Sequence, residues 1–346
     1  MKSQFANCLT RATLRSPHYR PLRGLNRFEP MNSTPPMRDV ASAEERVPDD
    51  SGKRGGTVLP DMSPAVAFST LVTPMVAQVA QRVGTLCVSA DPESLHKLRV
   101  VLRRLRSLWW AYDPLIDGSR ARRQRREFKA LADSAGQTRD WDILKHLLAE
   151  ETAMPRSFAA LIEGVDLLRG DALLHSRATI ADANVEAVLN QAIAGVMQQL
   201  EPRSFDESLS VFAANRIATA RRALRKRMKR LLRDPDSGYA EFHEVRIAAK
   251  KVRYLLEFFA PLIQSGNGIG IVELTQMQDE LGKLNDIVAS ESLLLTHALR
   301  LGERGVADDA IAYLRNLKGD RMQSAEALLR ALSDRLADER AGFGIN

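Results

Sequence analysis

His96-Lys97-Leu98-Arg99-Val100-Val101-Leu102-Arg103-Arg104-Leu105-Arg106 and His243-Glu244-Val245-Arg246-Ile247-Ala248-Ala249-Lys250-Lys251-Val252-Arg253 decide how this chain folds. Each begins with histidine, has arginine three residues on, basic residues seven and eight on, and arginine ten on. A helix turning about 100° per residue gathers the histidine and the third, seventh and tenth positions after it within roughly 80°. Leu95, Leu98, Leu102, Leu105 and Trp109 then lie on the opposite side of the first stretch. Phe242, Val245, Ala249, Val252 and Leu256 do the same for the second. Both read as amphipathic helices with a ladder of cations on one face.

A solvated helix face gains from acid–base pairs four residues apart and loses from like charges at that spacing. The first ladder has no acid between His96 and Arg106, and the second has only Glu244. A self-repelling arrangement that recurs 147 positions later points to a shared anionic ligand rather than to two solvated faces. Charge is concentrated in the same places. Residues 93–129 carry eleven Lys/Arg and four Asp/Glu, and residues 216–253 carry thirteen and four, leaving −9 for the rest of a +7 chain. Concentrated charge of one sign implies a partner of the other.

The 346 residues suffice for one large or two medium domains. Hydrophobic content of 45% and charged content of 27% are those of a globular protein, and aromatics are few at 5%. Cys8 and Cys87 are the only cysteines, which excludes a disulfide framework or a Cys-based metal site and fits a reducing compartment. No uninterrupted apolar run reads as membrane-spanning, and the N-terminus lacks the apolar core of a secretion signal, so a cytoplasmic location is expected. Residues 1–60, with seven prolines and a basic first stretch, read as a disordered tail, a transit-like segment, or a start codon placed before Met31 or Met37.

Beyond residue 60 the periodicity predicts helices throughout, with no alternating strand. The expected helices run over about 64–88, from Asp91-Pro92-Glu93 to Asp113-Pro114, and over 119–135. After Gly136, with Thr138 as N-cap, a helix continues through Leu147; 155–201 is helical with a break at Gly170 and a stop at Pro202. Further helices are expected at 204–233, about 240–260, 271–283 and 286–301, with two more over 306–341. Gly136-Gln137-Thr138-Arg139-Asp140 and Gly282-Lys283-Leu284-Asn285-Asp286 share Gly-x-x-x-Asp, each about the same distance beyond its ladder. Two features in register predict an internal duplication: a first helical bundle over 61–203 and a second over 204–346, related by pseudo-twofold symmetry around a basic channel.

These residues resemble the CHAD domain, the histidine-containing α-helical domain, over roughly 64–340. The likeness rests on the first ladder, on Arg139-Asp140-Trp141-Asp142-Ile143-Leu144, on the second ladder through Tyr254, and on Gln278-Asp279-Glu280-Leu281-Gly282-Lys283-Leu284-Asn285-Asp286. It implies two four-helix bundles around a basic pore that binds inorganic polyphosphate, often at polyphosphate granules. Many members carry a triphosphate-processing domain ahead of this one. Residues 1–60 differ from such a domain, so no catalytic role is carried over.

A flexible polyanion needs cations spaced along a line, and a ladder of ten residues spans about 15 Å. Arginine offers a planar fork to phosphate oxygens where lysine acts as a point charge. The expected polyphosphate ligands are His96, Arg99, Arg103, Arg104 and Arg106 with His243, Arg246, Lys250, Lys251 and Arg253. Arg122, Arg126, Lys129, Arg222, Arg225, Lys226 and Lys229 are supporting candidates. The histidines are read as phosphate donors ahead of catalytic bases, nucleophiles or locally satisfied helix-start residues, and metal binding ranks last because the neighbouring cations oppose it. Binding is expected to tighten as pH falls through the histidine range. Asp140 and Asp286 are read as structural, capping a helix or orienting a ladder arginine. The tryptophans are read as core contacts, and neither a catalytic residue, a metal nor a cofactor is expected. The alternatives are a nucleic-acid-binding helical protein or a metal-dependent phosphohydrolase.

Overall fold

The computed structural model describes residues 56–151, 158–201, 207–263, 269–302 and 304–342. Every regular element among them is helical, so the fold is all-α. The helices are α1 (Pro64–Val88), α2 (Pro92–Ala111), α3 (Gly118–Ser134), α4 (Gln137–Ala149) and α5 (Ala159–Asp182). They continue with α6 (Val185–Leu200), α7 (Leu209–Arg233), α8 (Tyr239–Phe258), α9 (Ile271–His297) and α10 (Arg304–Gly342). Single 3₁₀ turns follow α2, α8 and α9. Most of the expected N-terminal tail, and the residues around Pro202 and Ser265, lie outside the described residues.

The ladder helices start where their caps dictate. The Asp91 carboxylate accepts from the N–H groups of Glu93 and Ser94 at 3.1 and 3.0 Å, with Pro92 in the first turn. Glu241 reaches back to the N–H of Gly238 at 3.0 Å and does the same for α8. Leu95, Leu98, Leu102, Leu105 and Trp109 are fully buried on α2, as are Val245, Ala249 and Val252 on α8. Trp109 is edge-on to Phe68 of α1 and Phe128 of α3, and its indole N–H donates to Gln124 Oε1 at 2.8 Å.

Several boundaries differ from expectation. Gly136 and Ala135, not Thr138, lie between α3 and α4; Thr138 is buried inside the first turn of α4. Gly170 lies within α5, and the break falls at Ala183-Asn184, where Asn184 adopts a left-handed φ of 43° and caps α6. Residues 271–297 form one helix through Gly282, and residues 304–342 form one helix instead of two. A glycine weakens a helix without ending it when packing on both sides continues. Leu281 and Leu284 are both buried on either side of Gly282.

Two apolar clusters form the core. The larger joins α1, α2, α3 and α6 to α7, α8, the first half of α9 and the second half of α10. The smaller is built around Trp141, Leu144, Phe158 and Val165 with Ile287, Leu294 and Leu314. Each draws on both halves of the sequence. Among the described residues, α1 is long and apolar enough by composition to cross a membrane, although Thr73, Pro74, Gln78, Gln81 and Arg82 interrupt its apolar run. Its Phe68, Leu71, Val72, Met75 and Val79 are buried in the larger cluster, so the core accounts for its apolar face.

Candidate functional site: a cation array between two ladder helices

α2 and α8 pack against each other, and with them the two ladders meet. The charges of Arg103 and Arg99 both bear on Arg246, and those of Arg103, Arg246 and Arg253 bear on Lys250. Arg103 therefore lies near the middle of the assembly. Burial draws Arg246 below its ordinary value, and Arg103 adds to the effect. Burial among Arg103, Arg246 and Arg253 pulls the Lys250 ammonium down to about 5. Lys250 makes no hydrogen bond or ion pair with the described residues.

The two histidines flank this array in different settings. His96 Nδ1 is buried without a hydrogen-bond partner, and burial followed by Arg139 holds the ring below its ordinary value. His243 is lowered by burial and then by Arg246. Its Nδ1 lies 3.2 Å from the Tyr239 hydroxyl, which donates to Asn285 Oδ1 at 3.1 Å.

Asp140 and Asp286 stand beside the cations. Arg99 Nη1 donates to Asp140 Oδ1 at 3.2 Å, across 41 residues of sequence. Asp140 sits in the first turn of α4 as expected, whereas Asp286 is in the middle of α9 and caps nothing. Burial raises both carboxyls above their ordinary values, outweighing Arg99 at Asp140 and Arg246 at Asp286. The charge of Asp286 also acts on Asp140, so the two carboxylates approach each other. Gly136 makes room for this arrangement. A Cβ there would fall 1.5 Å from Arg99 Nη1, while one at Gly282 would meet nothing within 4 Å. The repeated Gly-x-x-x-Asp is thus equivalent in its aspartate and not in its glycine.

The remaining ladder residues divide. Arg253 donates to Gln278 Oε1 at 3.0 Å and to Glu257 Oε1 at 2.7 Å, and Glu257 also lies 3.8 Å from Arg104. Arg106 and Lys251 form no ion pair with described residues. Lys251 Nζ lies 4.7 Å from the centre of the Trp110 ring, and Arg216 4.5 Å from it. Trp110 is half-buried under these cations, whereas Trp109 and Trp141 are core residues as expected.

Of the supporting candidates, Arg122, Arg126, Lys129, Arg222, Lys226 and Lys229 are exposed, with Lys129 held by Asp133, and Arg225 is half-buried. α3 brings the charges of Asp133 and Arg125 to Arg106, and α3 and α7 together bring those of Arg125, Arg216 and Arg227 to Lys251. With Arg139 and Tyr239, these are site neighbours that sequence reasoning missed. The helical phase gave a usable signal for Arg125, which follows the buried Ala121 and Gln124 of α3 at a core-flanking position. No group of three metal-ligating side chains is present among the described residues.

The family model of the CHAD domain matches residues 71–295. The crystal structure of the CHAD domain from the plant Ricinus communis is 25% identical, with a TM-score of 0.64 over 80% of this chain and 95% of that one. PptA from Streptomyces chartreusis is 14% identical, with a TM-score of 0.50 over 80% of this chain and all of that one, a likeness of fold alone. No curated protein matches the chain.

Proposed function

Because the chain belongs to the CHAD domain family, we propose that it binds inorganic polyphosphate without chemical turnover, through the cations of α2 and α8. The observation that carries this reading is the packing of α2 on α8, which brings Arg99, Arg103, Arg246 and Lys250 so close that Lys250 is driven toward its neutral form in the free protein. Cations held together at the expense of their own solvation are stabilised by a polyanion that bridges them. Water and small anions relieve their repulsion only in part, whereas a chain of linked phosphates reaches every cation at once.

In this reading the two halves are an internal duplication and the ladders line one basic channel. α1 and α7 are both 25 residues long and begin 145 positions apart; α2 and α8 are both 20 residues long and begin 147 apart. α3 and α4 correspond to the continuous α9, and α5 and α6 to α10. The same reading makes the protein a binder, with a cytoplasmic place at polyphosphate granules. Direct binding of polyphosphate, titrated against salt and challenged with excess DNA or RNA, tests it. Displacement by polyphosphate and not by nucleic acid is expected, with affinity falling steeply as salt rises. Equal displacement by RNA would assign the site to nucleic acid, and phosphate release dependent on Mg²⁺ and His96 would make the protein an enzyme.

A further inference from the structure

Positions 104, 106 and 110 of α2 correspond to 251, 253 and 257 of α8, each 147 further on. The pairs are Arg104 with Lys251, Arg106 with Arg253, and Trp110 with Glu257. Two of the three conserve charge. The third exchanges a carboxylate for an indole, and the surroundings differ accordingly.

At the C-terminal end of α8, Glu257 lies between two cations. Arg253 donates to Oε1 at 2.7 Å and Arg104 is 3.8 Å from Oε2, with all three side chains less than a quarter exposed. Arg253 Nε is also held by Gln278. At the C-terminal end of α2, the equivalent position is Trp110. Lys251 and Arg216 lie over its ring, which attracts cations through its quadrupole and cancels none of their charge. Arg216 directs its N–H groups to the carbonyls of Trp110 and Ala111. Arg125 and Arg227 add two more charges, set 3.6 Å from Asp113 and 3.6 Å from Glu244 respectively. Arg106 and Lys251 pair with no described carboxylate. Five cations against three acids, Asp113, Asp133 and Glu244, thus stand at one end, whereas at the other the ladder cations Arg104 and Arg253 share Glu257.

We propose that the phosphate-binding surface is polarised: Glu257 closes one of two equivalent extensions, and Trp110 leaves the other open, so that a polyphosphate longer than the central array runs out over the last turn of α2. This rests on the polyphosphate reading above and adds a direction to it. The cations over Trp110 also occupy the ring that a nucleic-acid base would need for stacking, which favours a ligand without bases.

Glu257→Gln keeps the shape and removes the internal counter-charge. The full chain should then bind polyphosphate of about 100 units roughly three- to tenfold tighter, with a salt dependence steeper by about one released counterion. Tripolyphosphate, too short to reach the extension, should bind within about twofold of the unsubstituted protein. Lys251→Gln should weaken long-chain binding about tenfold, and the equivalent Arg104→Gln less than about threefold, because only the former removes an open cation. Unchanged or weaker long-chain binding by Glu257→Gln would overturn the polarity, as would equal losses in Lys251→Gln and Arg104→Gln. The second comparison decides the matter if Glu257→Gln fails to fold by circular dichroism. Failure of the unsubstituted protein to bind long polyphosphate would instead overturn the polyphosphate reading, and the polarity with it.

Discussion

Arg99 reaches Asp140 only because residue 136 has no side chain. Replacement of Gly136 by Ala would put a methyl group where the guanidinium now lies, and the flexible arginine would yield before the backbone did. Gly136→Ala should therefore lower polyphosphate affinity by roughly tenfold while leaving the melting temperature nearly unchanged. A large loss of stability with intact binding would contradict this. His96, His243 and Lys250 all sit below their ordinary values in the folded protein, chiefly through burial. The unfolded chain then holds more protons, so the stability of the ligand-free protein should fall as pH falls through the histidine range. Bound phosphate reverses the balance and favours the protonated rings, so affinity should rise over the same interval. Calorimetry from pH 8 to pH 6 tests both signs, and proton uptake on binding should appear as a dependence on buffer ionisation heat. Lys250 carries the same argument further. Lys250→Met should abolish tight binding and raise the stability of the ligand-free protein by up to about 2 kcal/mol, since a half-buried amine without a hydrogen-bond partner, held mostly unprotonated near neutral pH, gives way to an apolar side chain.

The elements differ in how much of their shape is local. α2 and α8 have strong caps and unbroken apolar faces, and each can be read from about twenty residues of sequence. Asp91→Ala removes the acceptor for two N–H groups at the start of α2 and should cost about 0.5–2 kcal/mol in chemical denaturation. α9 shows the opposite case. The same Gly-x-x-x-Asp spelling that separates α3 from α4 runs through α9 without a break, because the buried residues on either side of Gly282 keep one helical phase. Gly282→Ala has open space for its methyl group and should stabilise the protein by about 0.5–1 kcal/mol. α9 and α10 are also fastened to each other by charge, with Glu291 of α9 held by Arg315 and Lys318 of α10 at 2.7 and 2.8 Å.

At the scale of the whole molecule, the decisive event is the meeting of two cationic faces that lie 147 residues apart. Arg103→Glu with Lys250→Glu inverts charge at their junction and should abolish polyphosphate binding, by more than about a hundredfold, with helix content retained. Loss of the fold would instead make these residues structural. The period of 3.6 is a local property of the chain, so the sequence by itself determined that the protein is helical, where the ladder helices begin, which of their faces is cationic, and that Trp109 belongs to the core. Contacts between distant segments depend on packing angles that no period records. Only the tertiary structure decided that Arg99 meets Asp140, that Arg139, Arg216 and Arg227 join the array, and that Trp110 and Glu257 mark its unlike ends. It also decided that both apolar cores are shared between the halves, because burial depends on which helices pack together in space, and no local period records that.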